Sequence, residues 1–201
     1  MADILIRTCW NHLNYQAPCG ISYYAENQTN YVHDEGFGME EWNFNVDELV
    51  DGNLYGYIRP NFSTLAGKNH NIWFYTKSPN NELYLVGEYR DAYFLMPHER
   101  EKLEENMVSS GILNHRINQV YKTLQAIPNF EGVTLDYVQG QFIGQNVFKL
   151  KVAPNNVHIY SQMKPFSEES WNEISPAKKL SKRYNGYNHI PNIGAFLKLL
   201  S

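Results

Sequence analysis

The chain has 201 residues, 43% of them hydrophobic, 14% aromatic and 19% charged, enough for one well-buried core or two small ones at most. Its formal net charge of −4 is unevenly spread: residues 1–53 carry Arg7 as their only base against nine acids, and residues 149–201 carry eight bases against three acids. The acidic half disfavours nonspecific wrapping by nucleic acid, while Lys178, Lys179, Lys182 and Arg183 can either neutralise a few phosphates or form a solvated helix end. No run of eighteen apolar residues and no signal-like leader occurs, so the expectation is a cytoplasmic chain without a membrane span. Cys9 and Cys19 form no CxxC pair and the seven histidines are dispersed, so neither a metal nor another cofactor is expected.

Ile4 to Thr8 alternates apolar and polar residues and reads as a first strand. Ile72–Thr76 and Leu83–Tyr89 bracket Ser78-Pro79-Asn80-Asn81, a hairpin with strong turn chemistry, and Ala92–Leu95 extends it until Pro97. From His98 to about residue 125, Leu103, Met107, Leu113, Ile117, Val120 and Leu124 recur at helical spacing, with Gly111 as a break between two helices. Beyond Pro128 strands are expected again at Val133–Val138, Asn146–Val152 and Val157–Tyr160. Strands on both sides of a helical insert (98–126) imply that the flanks pair into one sheet or barrel. The result is a single α+β domain over 1–201, with a peripheral segment at 165–201 whose apolar end, Ala195–Leu200, docks.

The segment Asp34–Asn45 combines glycines, carboxylates, amides and the rings of Phe37, Trp42 and Phe44, a mixture suited to a wall that holds a flat ligand. Trp42 and Phe44 share one face if the segment is a strand, and both can then be core, with Asn43 pointing the other way. If Trp42 and Asn43 touch one ligand, the segment is a loop or a bulged strand. Gly36-Phe37-Gly38 lacks the third glycine and the Lys-Ser/Thr ending of a phosphate loop, so its glycines read as turn formers.

The succession Ile4–Trp10, Gly36–Phe44, Tyr55-Gly56-Tyr57-Ile58 and the hairpin ending Val86-Gly87-Glu88-Tyr89 resembles PUA-like modules of the EVE and YTH kind. Phe148–Ile159 resembles the closing strands of such a barrel. The resemblance covers most of the chain as short pieces rather than one diagnostic motif. It implies a small β-barrel with flanking helices that takes an extruded, often modified, nucleobase into an aromatic pocket, as in modification-dependent restriction systems. Such a site recovers about 1–3 kcal/mol per stacked base and reads the base edge with amides or carboxylates. Trp10, Phe37, Trp42, Tyr23, Tyr24 and Tyr57 are the candidate aromatics, and Asn11, Asp34, Glu41 and Asn43 the candidate edge readers. Modified DNA is the expected partner, RNA a lesser one, with a nuclease or NTPase recruited for any cleavage. The sequence carries no catalytic motif, so a binding module stands first. The alternative is a small ASCH-like hydrolase of a modified nucleoside, with Glu40, Glu41 and Lys68 as acid–base candidates.

Overall fold

The computed structural model describes residues 1–20, 34–59, 63–180 and 186–199. Seven strands form one mixed sheet: β1 (Asp3–Arg7), β2 (Leu54–Gly56), β3 (Asn69–Lys77), β4 (Leu83–Phe94), β5 (Leu150–Val152), β6 (Val157–Phe166) and β7 (Tyr187–His189). Among the described residues, five complete α-helices accompany them: α1 (Pro97–Ser109), α2 (Ile112–Gln125), α3 (Leu135–Phe142), α4 (Glu168–Ile174) and α5 (Ile193–Lys198).

The strand order is β2-β5-β4-β3-β1-β7, with β6 also paired to β4. Only β1 and β3 run parallel; every other pair is antiparallel. The long β4 serves two partners along its length, β6 from Leu83 to Tyr89 and β5 at Tyr93 and Phe94. The strands flanking the helical insert thus share one sheet, as the chain order implies. The architecture is α+β, but among the described residues the sheet stays open where the resemblance implies a closed barrel. The outermost strands of its strand order, β2 and β7, are three residues each, and they do not pair with one another.

β1 is buried from Ile4 to Arg7 because both of its faces are covered. Ile4 and Ile6 join Ile72, Phe74, Tyr89 and Phe44 on one side, and Leu5 joins Trp73, Tyr75, Trp171 and Phe196 on the other. The α5 ring of Phe196 is fully buried, 5.5 Å from Trp73, so the apolar tail docks as its composition suggests. α1, α2 and α3 bury Leu103, Met107, Leu113, Ile117, Leu124 and Val138 with Phe37 and Trp42. Gly111, at φ +80, supplies the left-handed residue between α1 and α2.

Val133–Val138, expected as a strand, is instead the entry to α3: the Thr134 hydroxyl accepts from the Tyr137 N–H at 3.2 Å and caps the helix. The apolar spacing there suited either period, and the cap decided it. The strand expected over Asn146–Val152 is only its last three residues, and the one expected to stop at Tyr160 runs on to Phe166.

Two glycines give opposite expectations for stability. A Cβ on Gly87 would lie 2.4 Å from the His158 carbonyl oxygen and 2.7 Å from the Phe44 ring, where β4 shifts register against β6. Gly87→Ala should therefore cost about 1–3 kcal/mol or more. Gly140 sits inside α3 with nothing within 4 Å of its added Cβ, so Gly140→Ala should stabilise by about 0.5–1 kcal/mol. Urea denaturation of both variants checks the pair; equal effects would mean that strand and helix positions are misassigned.

Candidate functional site

The aromatic and acidic segment folds as a turn rather than a strand. Gly36 takes φ +76, and Met39–Trp42 forms one turn of 3-10 helix, all four residues buried. The strand-parity conflict between Trp42, Asn43 and Phe44 therefore does not arise. Phe44 enters the sheet core against Phe74 and Tyr89, both with ring centroids 5.4 Å away. Trp42, 1% exposed, turns to the helices: its Nε1 donates to Gln119 Oε1 at 2.7 Å and its ring meets Phe142 edge-on. Phe37 is fully buried and stacked on Phe142 at 5.7 Å. Both rings are core in this structure, with no free face on which a base could stack.

Three of the four expected edge readers, Glu41, Asn11 and Asn43, are buried too, and their polar atoms are engaged. Glu41 accepts from the Gly38 N–H at 3.1 Å, the Cys19 N–H at 2.7 Å and Asn11 Nδ2 at 3.4 Å. Asn11 also donates to the Ala17 carbonyl and accepts from the N–H groups of Leu13 and Tyr15. Asn43 makes two bonds of 2.8 Å to the backbone of Tyr57, one to its N–H and one to its carbonyl. Buried amides and carboxylates must be satisfied somewhere, and here they fasten loops. Asp34 is exposed. Lys178 and Lys179 are exposed beyond α4. Tyr23, Tyr24, Lys182 and Arg183 lie outside the described residues.

What the turn does present is Glu40. Its neighbour in space is Gly38, where a Cβ would lie 2.8 Å from Cys9 Sγ and 2.9 Å from Glu40 Oε2. Glycine is thus required here for room rather than for its backbone angle, and it leaves thiol and carboxylate on either side of one Cα. Burial pushes the Glu40 carboxyl up to about 7, against the smaller opposing effects of its own backbone N–H and of Arg59, Lys149 and Arg7. Burial likewise lowers the Lys149 ammonium to about 8, with Arg100 adding to the fall and Glu40 opposing it. Burial, then the charges of Glu40 and Glu41, raises the Cys9 thiol, so it is no ready nucleophile.

Lys149 Nζ donates to the Arg59 carbonyl at 2.9 Å and stands 5.4 Å from the centre of the Tyr57 ring. Tyr57 is half-buried, its hydroxyl pushed up chiefly by burial and then by Glu40. Tyr57 and Arg59 follow β2, Lys149 precedes β5, and Cys9 and half-buried Trp10 follow β1, with the Trp10 ring 6.1 Å from Tyr84. The groups around Glu40 are therefore drawn from segments that flank β1, β2 and β5. The arrangement can offer a carboxyl that donates or accepts at neutral pH, two cations and an aromatic face. Sequence reasoning missed Arg59 and Lys149. The alternation Phe148-Lys149-Leu150-Lys151 marks both lysines as one face of a strand, and the unused signal was that a helical layer, rather than solvent, covers that face.

Lys68, expected as an acid–base partner, is exposed before β3 and donates to the Thr64 carbonyl at 3.5 Å. Among the described residues no three His, Cys, Asp or Glu side chains gather as a metal site requires, and no helix is long and apolar enough to cross a membrane. No protein family matches the chain, and neither a curated protein nor a solved structure matches it.

The raised Glu40 value gives a stability expectation with a definite sign. The folded chain holds a proton that the unfolded chain releases near 4.5, so this stabilisation is complete below about 4.5 and is lost as pH rises to about 7. The shift corresponds to a contribution on the order of 3 kcal/mol. Glu40→Gln removes the linkage: the variant should match the wild type below pH 5 and exceed it at pH 8 by about 1–3 kcal/mol. Denaturation across this pH range checks it; a variant weaker than the wild type at pH 8 would mean that the cations hold Glu40 ionised.

Proposed function

We propose that the chain is a nucleic-acid-binding module that receives one extruded, modified base of DNA beside Glu40. The observation that carries this reading is the buried Glu40 carboxyl, titrating near neutrality with Arg59 and Lys149 close enough to influence it. A neutral carboxyl donates one hydrogen bond and accepts another, the complement of a ring nitrogen beside an exocyclic amine, as on cytosine or adenine. Substituents at C5 of cytosine leave that edge free, so a modification can be sensed by the surrounding surface. Tyr57 and Trp10 are half-exposed rings that follow β2 and β1, and Arg59 and Lys149 are the cations available to a flanking phosphate.

Fluorescence anisotropy with duplexes carrying 5-methylcytosine, 5-hydroxymethylcytosine, glucosylated cytosine or N6-methyladenine, at about 150 mM salt, tests the reading. At least one modified duplex should bind tenfold or more tightly than its unmodified twin, and the preference should fall as pH rises above 7. Glu40→Leu and Trp10→Ala should each reduce it about tenfold while circular dichroism stays unchanged. Trp42→Ala is uninformative here, because emptying that buried site costs about 3–5 kcal/mol of stability. Equal binding of all duplexes by the wild type, or an unchanged preference in both variants, would sink the proposal. A preference that depends on the 2′-hydroxyl would move the reading to RNA.

A second reading rests on Glu40 at about 7 and Lys149 at about 8, values that suit a general acid and base at neutral pH. It is a hydrolase of a modified nucleoside in which Lys149 takes the part expected of Lys68. Release of cytidine from N4-acetylcytidine by the purified chain, lost in Lys149→Met, supports it. Binding without product returns the argument to the reader.

A further inference from the structure

A cleft of about 560 Å³ lies between the β2-β5-β4 region of the sheet and α1, and none of the residues discussed around Glu40 lines it. Its floor is built by strand register. Tyr55 is paired with Lys151, Lys151 with Tyr93, and Tyr93 with Asn69, so four side chains from four adjacent strands stand in one row on one face. All four line the cleft. Tyr93 is fixed in place by its hydroxyl, which donates to Glu99 Oε2 at 3.1 Å, and the same oxygen accepts from the Met96 N–H at 2.7 Å where α1 begins. Asn69 is held by Asp91, Nδ2 to Oδ1 at 2.9 Å.

Above this floor, Lys102 and Asn106 from α1 and Asn156 from the turn before β6 also line the cleft, and with Lys151 they make no side-chain hydrogen bond to other described residues. Asp51, Asp91 and Glu99 set three carboxylates against the ammonium groups of Lys102 and Lys151, and no arginine is present. That balance is unsuited to a phosphate or another anion, and the abundance of amides and charges is unsuited to a lipid chain. Vicinal hydroxyl groups, each both donor and acceptor, match interleaved carboxylates, amides and ammonium groups, and the face of a pyranose ring, lined with C–H groups, packs on an aromatic ring. The volume lies within the range of about 300–1,000 Å³ usual for small-ligand sites.

We infer that this cleft binds a neutral saccharide, stacked on Tyr93 and hydrogen-bonded by Asn69, Asp91, Lys102, Asn106, Lys151 and Asn156. The site is separate from the base-reading proposal and does not rest on it. Its polar, open form fits weak binding, with a dissociation constant on the order of 1 mM.

Backbone amide shifts of the ¹⁵N-labelled chain, titrated with methyl glucoside, methyl galactoside, methyl mannoside, N-acetylglucosamine, maltose and, as an anionic control, thymidine 5′-monophosphate, test this directly. At least one sugar should give saturable shifts at Tyr93, Lys102 and Lys151. Tyr93→Ala should weaken that sugar about tenfold, Tyr93→Phe less than about threefold, and Asn106→Leu, which leaves the floor intact, at least threefold. No saturable shift with any sugar, shifts that map elsewhere, or saturation by the nucleotide alone would overturn the assignment. Unchanged sugar affinity in both Tyr93→Ala and Asn106→Leu would do so as well.

Discussion

The buried turn from Gly38 to Asn45 is the constraint on which the rest of the molecule depends. A turn taken out of water exposes backbone and side-chain polar groups to an apolar surrounding, and each one left unpaired costs about 1–3 kcal/mol. Glu41 and Asn43 resolve this by serving as substitutes for backbone: Glu41 ties the turn to Gly38 and Cys19, and Asn43 to both polar groups of Tyr57. Asn45 adds a bond to the Gln16 carbonyl. The same turn sends Phe44 into the sheet core and Trp42 into the helical layer. Two hydrophobic clusters are thereby joined through one short segment, and two other parts of the chain, the loop holding Gln16 and Cys19 and the one holding Tyr57, are fixed against it.

Charge is buried beside this joint in two ways with different consequences. Arg116 is 1% exposed and donates to Glu48 Oε2 at 2.6 Å, with Trp42 and Phe148 facing its guanidinium at 5.3 and 5.2 Å. Burial still lowers the guanidinium more than Glu48 raises it, and Nη2 is left without a hydrogen-bond partner, while the pair fastens α2 to the chain beyond the turn. Glu40 is equally buried, but its cations act on it less strongly than burial does. Arg116 has a carboxylate at hydrogen-bond distance, whereas Glu40 keeps its proton up to about 7 beside half-buried Tyr57.

Much of the fold was legible from local pattern. The β3–β4 hairpin, the helices on either side of Gly111, and the docked tail all follow from periodicity and turn residues. Val133–Val138 was not, because its spacing fits both periods and a threonine cap chose the helix. The site was legible as a region but not in its roles. The sequence marks Asp34–Asn45 as unusual, yet a buried Asn that fastens a loop and an Asn that reads a ligand look the same without the third dimension. Lys149 and Arg59 come from distant segments, and only the pairing of β2 with β5 brings them to Glu40. Tyr55, Lys151 and Tyr93 were equally unreadable as a row, since register, not spacing along the chain, aligns them.

The position of β1 has a consequence for how the molecule is made. Its five residues lie between β3, to which it runs parallel, and β7, where Ile4 faces His189 and Ile6 faces Tyr187. One edge of β1 finds its partner only after residue 77 has been synthesised, and the other only after residue 189. β1 is thus complete only when both distant pairings have closed, and until then its apolar run is an open edge. Closing such distant pairings is slow. The sheet is accordingly finished by contacts that span most of the described chain.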